Sequence, residues 1–313
     1  MKNNLNFKTV DANCTLCKDS QLNILFEKNS FKYVKCENCN LVFASPRLTV
    51  DEINRIYKIG FKGKLEKKKD ESDQSKYASI VKSFDKYRLN NRILDIGCFY
   101  GTFLKAANDF DWKIYGTEIS EDIISHAKEN TNGDIRLGEL EDIHFEENYF
   151  DVIVMMDVIE HLPDPLSTLK EINRILRPGG LLYFDTPNFD SLERRVIGKN
   201  LHTIFPWHFY FFNVETISKL LKNSNFSLES CYTSGIGTFS KYDPLNDLNN
   251  NANISKKTSS ILNFKRNLKK SRLIVSIYRS FKQIFEVVFY LMSKLGLRIG
   301  AHLIVNAKKN ENL

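Results

Sequence analysis

The run ILDIGCFYGTFL, Ile93 to Leu104, decides the fold. An apolar stretch carries Asp95 near its end, passes Gly97 and reaches Gly101 three residues after Cys98, where a helical pattern begins. Glycines let the backbone turn sharply and let a ligand approach without Cβ interference. A strand that runs through such a loop into a helix is the opening unit of a parallel, helix-covered sheet. Phe99 occupies the middle of the loop. A bulky side chain resists positive φ, so the loop is expected either to bend differently there or to rely on Gly97 and Gly101 alone.

Working outward, further short apolar runs follow at Lys113–Gly116, Ile135–Leu137, Val152–Met156 and Leu181–Asp185, as buried parallel strands require. Leu166, Leu169, Ile172, Ile175 and Leu176 mark a helix from Pro165, and Arg177-Pro178-Gly179-Gly180 ends it. Strands alternating with helices over about residues 75–235 predict an α/β fold, a parallel sheet covered by helices. Glu118 ends the second strand, about twenty residues after the loop, where an acid can accept hydrogen bonds from both ribose hydroxyls. The segments GELED (138–142), FDVIVMMDVIEHL (150–162) and RILRPGGLLYFDTPN (174–188) follow in order. The dinucleotide pattern GxGxxG fits less well, because Phe99 stands where its second glycine belongs.

Upstream, Cys14, Cys17, Cys36 and Cys39 form two CxxC pairs separated by eighteen residues. Four thiolates close a tetrahedral site, so the pattern predicts a structural zinc ribbon over residues 1–45, with Ile24–Phe26 and Phe31–Val34 as its hairpin. Two unmetallated or redox-active pairs are the alternative. Cys98 and Cys231 read as ordinary buried cysteines. Residues 46–75 read as a linker or helix, and 76–313 as the α/β domain. An insertion at 241–298 interrupts that domain with an Asn-rich loop and a basic amphipathic helix, before a last strand at Ala301–Val305.

The chain has 313 residues, 42% hydrophobic, with net charge +7. Eleven Lys or Arg against Glu286 alone, between Lys256 and Arg298, leave the remainder slightly acidic. In that helix Leu273, Ile277, Phe281, Ile284 and Val288 share one face, with Arg272, Arg279 and Lys282 on the other. It packs on its own domain or meets an anionic membrane or lipid-linked acceptor. The polar start argues against a signal peptide, and no apolar run is long enough to span a bilayer. A cytoplasmic protein is expected, with peripheral contact at the inner membrane face as an option.

From about Arg92 to Asn188 the sequence resembles class I S-adenosylmethionine-dependent methyltransferases, in particular ubiquinone-type O-methyltransferases and bacterial sugar and surface-glycan methyltransferases. CENCNLVFASPRLTVDEINRIY (36–57) is similar to the zinc-binding lead of the glycan group. The resemblance implies a Rossmann-like seven-stranded sheet with helices on both faces, in which Asp95, Gly97 and Gly101 line the methionine part of the cofactor and Glu118 binds the ribose. It further implies that Glu139 meets the adenine amino group with the Leu140 N–H beside it, and that Asp157 faces the sulfonium. Cys98, inside the loop, goes with this cofactor set.

Open parallel sheets bind ligands beyond the carboxyl ends of their strands, so Glu160 and His161 are expected over the cofactor. His161 is the first candidate for general base, its ordinary pKa being near neutrality. His208 is the second and His202 a weaker third. In the ubiquinone-type relatives the acid, Glu and His matching Asp157, Glu160 and His161 can hold a divalent cation; here the shorter Asp disfavours it. Trp207, His208 and Tyr210, in FPWHFYFF (205–212), either wall the acceptor or close the core. The function expected is O-methylation of a sugar, nucleotide-linked or in a surface glycan, which would belong to polysaccharide biosynthesis. Alternatives are methylation of RNA, disfavoured because the basic charge sits in one segment, methylation of a quinol, and a non-catalytic zinc-dependent binding module.

Overall fold

A computed structural model describes residues 7–61, 71–235, 291–292 and 295–310. Most of the basic segment from Lys256, including its amphipathic helix, lies outside the described residues. The strands are β1 (Thr9–Val10), β2 (Leu22–Lys28), β3 (Phe31–Cys36), β4 (Val42–Ala44), β5 (Arg47–Leu48), β6 (Arg92–Ile96), β7 (Lys113–Glu118), β8 (Asp134–Leu137), β9 (Phe150–Met156), β10 (Leu176–Pro187), β11 (Tyr210–Phe211), β12 (Phe226–Ser234) and β13 (His302–Lys309). The helices are α1 (Val50–Phe61), α2 (Glu71–Ser83), α3 (Thr102–Asn108), α4 (Glu121–Asn130), α5 (Leu140–Ile143), α6 (Pro165–Ile175), α7 (Leu192–Ile197) and α8 (Val214–Asn223).

Seven strands form one sheet in the order β12-β13-β10-β9-β6-β7-β8. The pairings of β6 with β7 and β9, of β7 with β8, and of β9 with β10 are parallel. The chain leaves β6 toward one edge through β7 and β8, then crosses back to place β9 on the other side of β6. That reversal is the switch point where open α/β sheets leave a crevice beyond their strand ends. Ile93, Leu94, Val152, Ile153, Val154, Met155, Leu182 and Phe184 are buried, so β6, β9 and the Leu181–Phe184 part of β10 read as apolar runs because both faces are covered. Asp164 begins α6 by accepting the Leu166 and Ser167 N–H groups, with Pro165 in the first turn where no N–H is needed. β10 starts at Leu176, earlier than the glycine pair suggested, and its register against β9 shifts between Leu176 and Leu181.

The smaller sheet has the order β11-β4-β3-β2. The β2–β3 pair is the expected antiparallel hairpin. β11 comes from the far end of the α/β sequence and pairs antiparallel with β4, Tyr210 opposite Phe43 and Phe211 opposite Val42. Tyr33 packs edge-on against Phe211, ring centroids 5.3 Å apart.

The chain separates into two compact units. The larger holds residues 7–187, 206–231 and 303–313, and so contains both the cysteine module and the strand ends around Gly97. In the smaller unit (1–6, 188–205 and 232–302), the Asn188 side chain donates to the Gly300 and Arg298 carbonyls, and its N–H donates to Ala301. His202 lies there, 3.7 Å from Glu193. No helix among the described residues is long and apolar enough to cross a membrane.

Candidate active site and four-cysteine centre

The loop after β6 places three left-handed residues within five: Gly97 (φ 70°), Phe99 (φ 50°) and Gly101 (φ 74°). Phe99 therefore takes the glycine-like conformation despite its bulk. What holds it is Glu118, whose Oε2 accepts the Phe99 N–H at 3.1 Å while Oε1 accepts the Ser120 N–H at 2.9 Å. A side chain at Gly97 would also meet the Val158 Cγ2 at 2.8 Å, so the loop admits no Cβ there.

Asp95, Glu118 and Asp185 are buried at the carboxyl ends of β6, β7 and β10. Among the described residues no Lys or Arg pairs with Asp95 or Glu118. Burial, then the neighbouring charges of Glu118 and Asp185, push the Asp95 carboxyl well above its ordinary range. Glu118 is raised too, chiefly by burial, against the opposing effect of its backbone donors. Carboxylates crowded out of water stay ionised more readily beside a cation, which here would add to the backbone donors on Glu118. A cofactor bearing an ammonium, a sulfonium and ribose hydroxyls suits this set. Cys98 is buried in the same loop, its thiol pushed up first by burial and then by Asp95 and Glu118.

Toward the sheet edge, Glu139 stands exposed at the start of α5 and Leu140 is buried. Phe99, Ile119 and Leu137 are large apolar residues left exposed after or at the ends of β6, β7 and β8. Sequence reading did not single out Ile119 and Leu137. Their signal, an apolar residue just after or at a strand's carboxyl end, is visible only once strand ends are known.

Asp157, directly after β9, is exposed with φ 52°, and its N–H donates to Asp185 Oδ1 at 2.9 Å. Glu160 is fully buried; its Oε2 accepts the Thr186 hydroxyl at 2.9 Å, and its Oε1 lies 3.9 Å from His208 Nε2. Burial, then the Asp157 charge, raises the Glu160 carboxyl well above the usual range. His161 Nδ1 lies 2.8 Å from the Trp207 carbonyl. A carbonyl only accepts, so Nδ1 carries the proton and Nε2 carries the lone pair. Burial brings His161 down to about 4, so neutrality comes from its enclosure rather than from an ordinary imidazole value. The His161 and His208 rings meet edge-on, centroids 4.5 Å apart. Glu160, His161 and His208 thus offer ligand atoms within 4.8 Å of one another. Trp207 is half-buried, whereas the Tyr210 hydroxyl is engaged by Arg47 and by the Pro163 carbonyl.

The four cysteines converge as their spacing predicts. Sγ–Sγ distances are 3.3 Å for Cys14–Cys39, 3.4 Å for Cys17–Cys36 and 3.6 Å for Cys14–Cys17, and none is in a disulfide. The two turns are built alike: Lys18 and Asn40, each following a CxxC, take positive φ and donate back to the Cys14 and Cys36 carbonyls. Burial pushes the Cys14 thiol up to about 11 and raises Cys39 as well. Four sulfurs packed so closely at a mostly buried point fit a tetrahedral thiolate site for a soft divalent ion.

A switch-point crevice lined by acids and opened by a glycine loop defines a Rossmann-like domain built for a cationic nucleoside cofactor. The chain belongs to the methyltransferase-domain family, whose model matches residues 65–230, more than half of its length. Among curated relatives it is similar to the ubiquinone biosynthesis O-methyltransferase of Coxiella burnetii, 31% identical over 113 residues, covering 34% of this chain and 48% of that one. The enzyme of the same name from Xanthomonas campestris is 28% identical over 103 residues, covering 31% and 43%. The chain thus spans about half the length of these relatives or less. Among solved structures, a chain from the complex of the Haloferax volcanii Trm112 methyltransferase activator with a methyltransferase matches 83% of this chain and 98% of its own length. It does so with a TM-score of 0.50 at 15% identity, a likeness of fold.

Proposed function

We propose that the chain methylates a hydroxyl group, using S-adenosylmethionine as donor, and that the acceptor is a sugar, nucleotide-linked or within a surface glycan. The observation that carries the first part is the buried acid cluster at the carboxyl ends of β6 and β7, which no Lys or Arg among the described residues pairs with and which favours a cationic ligand. When bound, S-adenosylmethionine supplies an electrophilic methyl group on sulfur.

In this reading Asp95 meets the cofactor's ammonium beside the backbone of Gly97, Cys98 and Gly101. Glu118, already oriented by the Phe99 and Ser120 N–H groups, accepts from the ribose hydroxyls. Ile119, Leu137 and Phe99 offer apolar surface to the purine, with Glu139 and the Leu140 N–H at its edge. Asp157 faces the methyl group. His161 takes the acceptor's proton at Nε2, the atom left basic by the Nδ1–H to Trp207, and holds the hydroxyl in line with the methyl group. Positioning of this kind contributes up to about 7–11 kcal/mol in ideal cases, and a placed base a further ~10²–10⁴-fold. His208, backed by Glu160, is the second group able to move that proton. The four cysteines hold a structural zinc ion.

The sugar assignment rests on resemblance and on the polar histidine and acid lining. A quinol is the second reading, favoured by the named activity of the Coxiella relative. Incubation with methyl-labelled cofactor and separated pools of nucleotide sugars, glycolipids, quinols and RNA tests both. Label in a sugar-containing pool supports the proposal; label in quinol or RNA alone overturns the acceptor assignment.

A further inference from the structure

We infer that the four-cysteine module positions the acceptor side of the site, acting through Arg47 and strand β11 on the two segments that carry Glu160, His161 and His208. The enzymatic consequence rests on the methyl-transfer reading above; the structural linkage does not.

Each cysteine turn reaches one of those segments. The second turn, Cys36–Cys39, runs directly into β4, where the Cys36 N–H donates to the Leu41 carbonyl. β4 then pairs with β11, which begins two residues after His208. The Ala44 N–H extends that pairing to the Phe209 carbonyl at 2.9 Å. The first turn holds Thr15, whose hydroxyl donates to Asp164 Oδ1 at 2.9 Å. Asp164 caps α6 and lies three residues after His161.

Arg47 joins the two segments. Its Nη1 donates to the Pro163 carbonyl and to the Tyr210 hydroxyl, both at 2.9 Å. Its guanidinium carbon stands 4.8 Å from the centre of the Phe209 ring. A lysine is shorter by the width of the guanidinium and offers no flat face to the Phe209 ring, so it should not hold all three contacts at once. Between the clamped segments the Phe209 N–H donates to the Glu160 carbonyl at 2.8 Å, and His161 donates to Trp207. The mutual placement of His161 and His208 is therefore set by contacts that begin in the module.

The cofactor side is held differently. Asp95, Gly97 and Glu118 belong to β6, β7 and their loops, and no hydrogen bond among the described residues links these three to the module. Loosening the module should thus leave cofactor affinity in place while freeing the histidine segments. Arg47 is a positioning residue on this account, beside the two direct links from the cysteine turns through Thr15 and β4.

The test compares wild type, Arg47→Lys and chelator-treated wild type by amide hydrogen exchange, cofactor calorimetry and turnover. The inference expects exchange across residues 206–211 to rise about tenfold or more in Arg47→Lys. It expects S-adenosylmethionine affinity to change less than about threefold, with the acceptor's kcat and the pH profile altered. Chelation should raise exchange in the same segment. Unchanged exchange over 206–211 in Arg47→Lys would overturn the inference, as would an equal loss of cofactor affinity, which signals general unfolding. A wild-type protein that binds no cofactor but shows the exchange response sinks the methyl-transfer reading and leaves the linkage standing.

Discussion

Replacing Asp95 with Asn separates what a buried carboxylate costs from what it recognises. In the free protein Asp95 sits beside Glu118 and Asp185 with its carboxyl raised by burial and by both of them. A raised carboxyl means that the folded state holds a proton the unfolded chain would release. Its contribution to stability is full below the unfolded pKa and is lost as pH rises through the folded value. Asp95 therefore contributes less to stability at pH 8 than at pH 5, because burial and the Glu118 and Asp185 charges hold its carboxyl up in the folded state. Asn removes that penalty at similar volume. Cofactor-free Asp95→Asn should melt above wild type at pH 8, by about 2–4 °C for each ~1 kcal/mol of penalty removed, with the gap closing toward pH 5. Binding should move the opposite way. A hydrogen bond to a charged group contributes about 1.5–3 kcal/mol, so calorimetry should show S-adenosylmethionine bound roughly 10–150-fold more weakly. The reasoning fails if the variant binds within about twofold of wild type, or if it melts lower than wild type at pH 8.

Four further outcomes follow from the geometry. Gly97→Ala places a Cβ 2.8 Å from Val158 Cγ2 at φ 70°, and should lower stability in a denaturant titration by about 1–3 kcal/mol. If His161, brought down to about 4, is the base, kcat/KM should stay flat from pH 6 to 8 and fall only as pH drops toward that value; an acid limb near 6.5 would point to another group. His161→Ala should lower turnover by about 10²–10⁴-fold with cofactor affinity intact, and unchanged turnover removes it as base. If the four cysteines hold zinc as proposed, Cys36→Ser should abolish stoichiometric zinc by elemental analysis and destabilise the module, since small metal sites of this kind draw folding energy from the ion.

Much of this was legible in the sequence for physical reasons. Parallel strands buried on both faces are apolar runs, so β6, β9 and the Leu181–Phe184 part of β10 could be read directly. The paired CxxC turns are local, and their spacing alone brings the sulfurs together. Three features were not legible. The pairing of Val42–Ala44 with Tyr210–Phe211 joins residues far apart in the chain, and nothing in either short stretch names its partner. The left-handed backbone of Phe99 depends on Glu118, nineteen residues on, accepting its N–H. The lowered basicity of His161 comes from its enclosure, which composition does not record. β10 shows a fourth limit: Arg177-Pro178-Gly179-Gly180 reads as a turn, yet the strand runs through it with a shifted register.

The division of labour at the site follows from these non-local links. In the proposed arrangement acids on β6 and β7 serve the cofactor, whereas the histidine segments lean on the sheet in which β11 pairs with β4. A chain that kept its glycine loop but lost Arg47 would retain half of that arrangement.

The central claim is that the acid-lined crevice takes S-adenosylmethionine and gives up its methyl group. The most direct test follows methyl-labelled S-adenosylmethionine with the metal-loaded chain, measuring bound label at equilibrium and then S-adenosylhomocysteine release when an acceptor pool is added. One cofactor bound per chain, weakened in Asp95→Asn and converted only in the presence of acceptor, is the predicted result. A folded, metal-loaded protein that binds no cofactor would contradict it.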